Sequence, residues 1–264
     1  MALWLGMASA IGLTGCGRRH ATVALPAVGG GTVVASGHDD ARFPPAAPAP
    51  RNGTVAQRLR QYGASARQSH APYFQAAGVA YPPAHLVLLG LKEEQALEVY
   101  AAGKDGVYHF IRAYPIQAES GALGPKLREG DYQVPEGIYG ISLLNPNSNY
   151  HLSMEVSYPN DFDRAMARRD KRTHLGSAIM IHGDARSAGC LAMGDGAAED
   201  LFVLAEDTGL AQIKVILSPV DFRCHKLPDD LPKQPAWVSV WLYAQIQAEM
   251  RALPLPLPWA GAGK

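Results

Sequence analysis

Two short segments of this chain hold the residue types that can do covalent chemistry. Ile179-Met-Ile-His-Gly183 is followed by Ser187-Ala-Gly-Cys-Leu191, which sets His182 and Cys190 eight positions apart across a glycine-bearing loop. A thiolate is the reactive form of cysteine, and an imidazole that removes the thiol proton raises the reactive fraction at neutral pH. Gly183 and Gly189 leave room for a substrate backbone beside both groups. The amides around Gly189 and Cys190 can point at a developing oxyanion. The plainer alternative is a buried small hydrophobe at Cys190 with no catalytic role, the usual fate of a free cysteine.

The surrounding text decides between them. Gly124-Pro-Lys-Leu-Arg-Glu-Gly-Asp131, Pro135-Glu-Gly-Ile-Tyr139, Leu144-Asn-Pro-Asn-Ser-Asn-Tyr-His-Leu152 and Tyr158-Pro-Asn-Asp-Phe-Asp-Arg164 precede the His-Gly and Gly-Cys pairs in order. From about Leu86 to Phe222 the chain resembles the L,D-transpeptidase (YkuD-type) catalytic domain family, and within it the YafK/DpaA-like branch. The resemblance implies Cys190 as nucleophile, His182 as general acid and base, and a diaminopimelate-containing peptidoglycan stem peptide as substrate. Most members have a longer His-to-Cys loop and a second histidine two residues before the nucleophile, where this chain has Ala188. The YafK-like branch shares both departures. It includes a member that hydrolyses a cross-link, so transfer and cleavage both stay open.

Acyl transfer through a thioester needs no metal, nucleotide or organic cofactor, and the expectation is none. Two other classes stand beside it. A catalytically silent wall-binding lipoprotein would keep the fold but not both His182 and Cys190, and a papain-like protease usually has its cysteine far N-terminal to its histidine.

Composition bounds the rest. The chain has 264 residues, 47% of them apolar, with 24 basic and 24 acidic side chains. That is enough for a packed core, and with balanced charge and no Lys/Arg run longer than two, nothing favours nucleic acid. The three cysteines, at positions 16, 190 and 224, have no metal-ligand spacing, and Cys224 reads as a spare thiol. Residues 2–13 are apolar and uncharged, end in Leu13-Thr-Gly-Cys16, and are too short to span a bilayer. Residues 1–16 therefore read as a lipoprotein signal peptide with Cys16 as the lipid-modified N-terminus, with plain secretion as the alternative. The implied location is the periplasm, anchored by lipid to the outer membrane. Partners on this reading are stem peptides, a covalently wall-attached lipoprotein and the membrane, with no nucleic acid. Residues 17–53, rich in Gly, Ala and Pro, read as a flexible tether.

The elements that must position the pair follow from pattern. The fold class expected is mainly β with flanking helices, antiparallel sheets around a Cys/His site. Residues 54–84 form a lead-in with a short helix to about Tyr62; 85–222 form the catalytic domain; 223–264 form a C-terminal helix and Pro-rich tail. Strand-like runs lie at 86–89, 96–100 and 107–112, with Gly103-Lys-Asp-Gly106 as a hairpin turn. A further strand is expected near 150–158, and Asn160 caps a helix to about Arg169. A buried strand from Ser177 delivers His182, and Asp195 caps a helix that stops near Gly209. Ile213 to Leu217 closes the region as a strand. Substrate contacts are assigned to Tyr150 and His151 in the groove and to Arg186 facing a carboxylate. His174 and Asp184 are weaker candidates, and a backbone carbonyl is the expected orienter of the imidazole.

Overall fold

The computed structural model describes residues 52–256, apart from 230 and 232. The leader ending at Cys16, nearly all of the tether and the last eight residues lie outside the described residues.

The chain enters through α1 (Val55–Ala77), which opens on a capping box. The Thr54 side chain accepts from Gln57 N–H, and the Gln57 side chain accepts from Thr54 N–H. It closes on Gly78 at φ +69°, so it runs fifteen residues past the Tyr62 expected from sequence. Its inward face explains the shortfall: the buried residues are Arg58, Gly63, Ala66, His70 and Phe74, and only Phe74 is a large hydrophobe. Arg58 Nε donates to Pro146 O and His70 Nε2 meets Asp200 O, so polar bonds dock much of this helix.

Next comes an antiparallel meander of β1 (His85–Leu91), β2 (Ala96–Ala102) and β3 (Tyr108–Pro115). The chain then crosses a long loop to β4 (Gly137–Tyr139), passes through Gly140 into β5 (Ile141–Ser148) and returns as β6 (His151–Val156). Helix α2 (Asp161–Arg169) carries a second capping box, Asn160 with Asp163. Short strands β7 (Met180–His182) and β8 (Leu191–Ala192) precede α3 (Asp195–Thr208), a 3-10 turn and β9 (Ile213–Ser218). A π-helical turn (Val238–Leu242) runs directly into α4 (Tyr243–Met250).

The strands form two sheets, in the orders β3-β2-β1-β9-β4 and β5-β6-β7-β8. The expected sheets with flanking helices are present. Two pairings are parallel instead of antiparallel, β1 with β9 and β7 with β8.

The first sheet is covered on both faces, and its alternation divides the core. Leu86 and Leu88 of β1 join Phe74, Phe202 and Leu204 on one side. Val87, Leu89 and Leu91 join Trp237, Val238, Leu242, Tyr243 and Ile246 on the other. Fully burying each such side chain is worth about 1.5–3 kcal/mol. The C-terminal helix is therefore part of the same folded unit.

One buried polar junction ties the long loop to this frame. Glu136, 0% exposed, accepts from Gly124 N–H (2.7 Å), Lys92 Nζ (2.9 Å) and Tyr243 Oη–H (2.8 Å). Lys92 also donates to the carbonyls of Ala122, Gly124 and Val134. Removing one partner of a buried ion pair strands the other charge. Lys92→Met should lower the unfolding free energy by about 3–5 kcal/mol in urea titration; a change under about 1 kcal/mol would show that the junction does not hold the loop.

Candidate active site

Strand β7 lies between β6 and β8. Ser153 pairs with His182 and Met154 with Ile181 across the antiparallel edge, and Ile181 pairs with Leu191 and His182 with Ala192 across the parallel one. Side chains alternate along a strand, so the parallel register places Cys190 opposite Met180 and on the same sheet face as His182. The contacts agree with that placement. Met180 N–H points at Cys190 Sγ (3.4 Å), and the thiol lies 3.8 Å from the carbonyl of Ala178.

The imidazole is held in one tautomer. His182 is 1% exposed, and its Nδ1 lies 2.5 Å from Gly183 O. A carbonyl only accepts, so Nδ1 carries the proton and Nε2 is left with a bare lone pair, the form a general base requires. The Tyr150 ring packs on this imidazole at 4.7 Å between centroids. A Cβ on Gly183 would fall 2.6 Å from Asp195 Oδ1 and 2.9 Å from Tyr150 O, so only glycine allows this approach.

Both reactive groups rest in their neutral forms. Burial pushes the His182 pKa down, outweighing the Gly183 carbonyl and the Asp184 charge, which act to raise it. Burial pushes the Cys190 thiol up, against the Met180 N–H and the charge of Lys126. The Lys126 ammonium bonds Asp131 (2.5 Å) and the carbonyl of Arg128. Asp131 also accepts from the N–H groups of Leu127, Arg128 and Gln133, and these bonds with Lys126 overcome the effect of burial, leaving its carboxyl below the ordinary value.

The remaining candidates separate. Tyr150, 40% exposed, forms a wall of the site. The Arg186 guanidinium stands 5.7 Å from the Tyr150 ring at the rim, paired with Asp184 at 2.6 Å. Asp184 gives its carboxylate to Arg186 and to Ala185 N–H, so it is not the partner of the imidazole. His174 enters the fold through its carbonyl, which accepts from Glu129 N–H. His151 corrects the sequence reading. At φ +69°, its ring is buried with Nε2 on Glu199 (2.8 Å) and its edge on Tyr62, so it is engaged inside the protein and not offered to a substrate. Cys224 is a second correction: it is disulfide-bonded, and Cys190 is the free cysteine among the described residues.

The amides expected to face an oxyanion are occupied. Gly189, at φ +103°, donates to Ser120 Oγ (2.6 Å), and Cys190 N–H donates to Ser187 Oγ (3.1 Å), whose hydroxyl returns to Cys190 O (2.6 Å). Two hydroxyls thus stand where an anionic oxygen would have to bind. Sequence reasoning did not single out Ser120, Ser187, Lys126 or the exposed Tyr132. Lys126 and Tyr132 lie in or beside the Gly124–Asp131 motif, which was the one available signal.

A neutral resting pair has a measurable consequence. A thiol held up by burial stays protonated as pH rises through the ordinary value, so alkylation of Cys190 by iodoacetamide, localised by mass, should climb with a midpoint above about 8.5. An imidazole held down stays a base as pH falls, so the acid limb of any Cys190-dependent rate should lie below about 6.5. A rate of alkylation already flat at neutral pH would show a preformed thiolate and contradict this electrostatic picture.

Residues 85–217, half of the chain, match the L,D-transpeptidase catalytic domain (YkuD) family. YafK of Escherichia coli (strain K12), named provisionally as an L,D-transpeptidase, is 37% identical over 113 residues, which are 42% of this chain and 43% of YafK. The solved structure of the helical cell shape determining protein Pgp2 from Campylobacter jejuni aligns at 24% identity and a TM-score of 0.44, covering 52% of this chain and 48% of Pgp2. L,D-transpeptidase 1 of Mycobacterium tuberculosis aligns at 14% identity and a TM-score of 0.30, over 51% of this chain and 62% of that protein. The family match spans His182 and Cys190, and by it the chain belongs to the L,D-transpeptidase catalytic domain family.

Proposed function

We propose that this chain is a cysteine acyl-transfer enzyme acting on a diaminopimelate-containing peptidoglycan stem peptide. The observation that carries the reading is the neutral Cys190–His182 pair on one sheet face, with the bare Nε2 fixed by the Nδ1 bond to Gly183 O. Nε2 takes the thiol proton as Sγ forms a bond to the peptide carbonyl carbon. The carbonyl oxygen becomes an oxyanion, and for it to bind at Gly189 and Cys190 the hydroxyls of Ser120 and Ser187 must give up their amides. The C–N bond then breaks, and the imidazolium returns its proton to the leaving amine. The thioester that remains passes its acyl group to an amine, giving a cross-link or an attached protein.

Hydrolysis is the second reading. Ala188 is exposed beside the nucleophile, at the position where most of the family has a histidine. The open space lets water reach the thioester, which would make the chain an amidase that cleaves a cross-link or releases a wall-bound lipoprotein.

Lipid attachment at Cys16, with anchoring to the outer membrane on the periplasmic side, rests on the leader sequence alone. The intact mass of the mature protein decides whether Cys16 carries lipid.

Isolated sacculi incubated with the full chain in oxygen-18 water should yield changed muropeptides. Unlabelled new amide links mark transfer, and label in a new carboxylate marks cleavage. Cys190→Ala should abolish both, and His182→Ala should slow the reaction by about 10²–10⁴. Full activity of Cys190→Ala would overturn the mechanism, and binding without any product would favour a silent wall-binding protein.

A further inference from the structure

A second hollow opens next to the nucleophile turn. It has a volume of about 230 Å³, and its walls include Lys92, Glu93, Gln95, Glu119 and Ser120. The chain joins it to the site described above. Gln117 N–H and Ala118 N–H both point at Ala192 O, and Ala118 bridges Ala192, two residues past Cys190. Ser120 accepts the Gly189 amide and donates to Tyr132 O (2.7 Å). Glu119 therefore stands between the segment paired to β8 and the residue that holds the nucleophile turn.

Within this hollow the charges are unbalanced. Oε2 of Glu119 is buried with no hydrogen-bond partner. The nearby cation cannot serve it, because the Lys92 ammonium is already shared among three carbonyls and Glu136. Glu93 is exposed at the rim and adds a second negative charge. Burial pushes the Glu119 carboxyl up to about 7, with Lys92 lowering it and Glu136 raising it further. A carboxylate only accepts, and leaving it desolvated and unpaired is costly. What it lacks is a small cation with several N–H donors.

We propose that this hollow is a subsite for a primary ammonium on a short aliphatic chain, with Glu119 as its carboxylate partner and Ser120 as its link to the Gly189 amide. An ammonium supplies three donors to one carboxylate, and the volume admits an aminoalkyl arm of a few carbons. Identifying that arm as a diaminopimelate side chain rests on the acyl-transfer reading above; the ammonium site itself does not. The same chemistry can come from the donor stem or from the acceptor stem.

The test uses the full chain and 1,5-diaminopentane as probe, titrated at pH 8 by chemical-shift mapping, with 1-pentanol as the uncharged counterpart. Diaminopentane should bind saturably with shifts at residues 119–122, pentanol should not, and Glu119→Gln should weaken binding at least tenfold, in line with loss of one charge-assisted bond. Equal affinity for wild type and Glu119→Gln, or shifts confined elsewhere on the wild type, would overturn the site and leave a hollow that holds water only. The wild-type comparison of diamine with alcohol stands even if the variant folds poorly. Acylation of Cys190 by a stem peptide, followed by intact mass, then assigns the source. Slower acylation in Glu119→Gln marks the donor ammonium, and unchanged acylation with fewer amine-linked products marks the acceptor. Diaminopentane bound through Glu119 on a wild-type chain that never acylates would refute the acyl-transfer reading while the ammonium site stands.

Discussion

The parallel pairing of β7 with β8 is the constraint on which the site depends. Two strands three and two residues long hold His182 and Cys190 on one face only while the 183–190 loop returns the chain in register. That loop is pinned at several points. Gly183 N–H donates to Leu152 O, Asp184 N–H to Asp195 Oδ1, Gly194 N–H to Asp184 O, and Met193 N–H to His182 O. A slip of one residue would turn Cys190 to the opposite face. The closeness demanded of Gly183 by Asp195 and Tyr150 is thus a condition on register as much as on space.

The larger sheet supplies the rigid support. Its two apolar faces are closed by α1 and α3 on one side and by the C-terminal helix on the other, so neither layer can be removed without exposing a core face. The long loop before β4 carries Ser120, Lys126 and Tyr132 to the turn at Gly189 and Cys190. It has little regular structure of its own, and the buried Glu136 junction holds it by bonding one carboxylate to the β1 end, to the loop and to α4. In consequence Tyr243 of α4 shares one carboxylate with Gly124 of the loop that carries Ser120.

Much of this was legible in the residues, and the parts that were not have physical reasons. Turn and cap chemistry is local, so the Asn160 helix and the Gly209 stop could be read directly. Asp195 shows where that stops working. The N-cap is Gly194, and the Asp195 carboxylate reaches back to Asp184 N–H, a tertiary bond with no sequence signal. The length of α1 was hidden because its docking face is polar, and β5 was hidden by Pro146 and three asparagines or serines around it. Within the site, residue type and the motif order exposed His182 and Cys190. The direction of His151 was unreadable because it turns on a positive φ, and the occupation of the Gly189 amide was unreadable because Ser120 lies 69 positions away.

The proposed chemistry turns on a thioester between Cys190 and a stem-peptide carbonyl, with His182 taking the thiol proton. The most direct measurement is the intact mass of the full chain mixed with a diaminopimelate-containing tetrapeptide stem and quenched in acid. An acyl adduct should map to Cys190, be released by hydroxylamine, and accumulate far more slowly in His182→Ala. An adduct on another residue, or turnover of the peptide with Cys190 replaced by alanine, would contradict it.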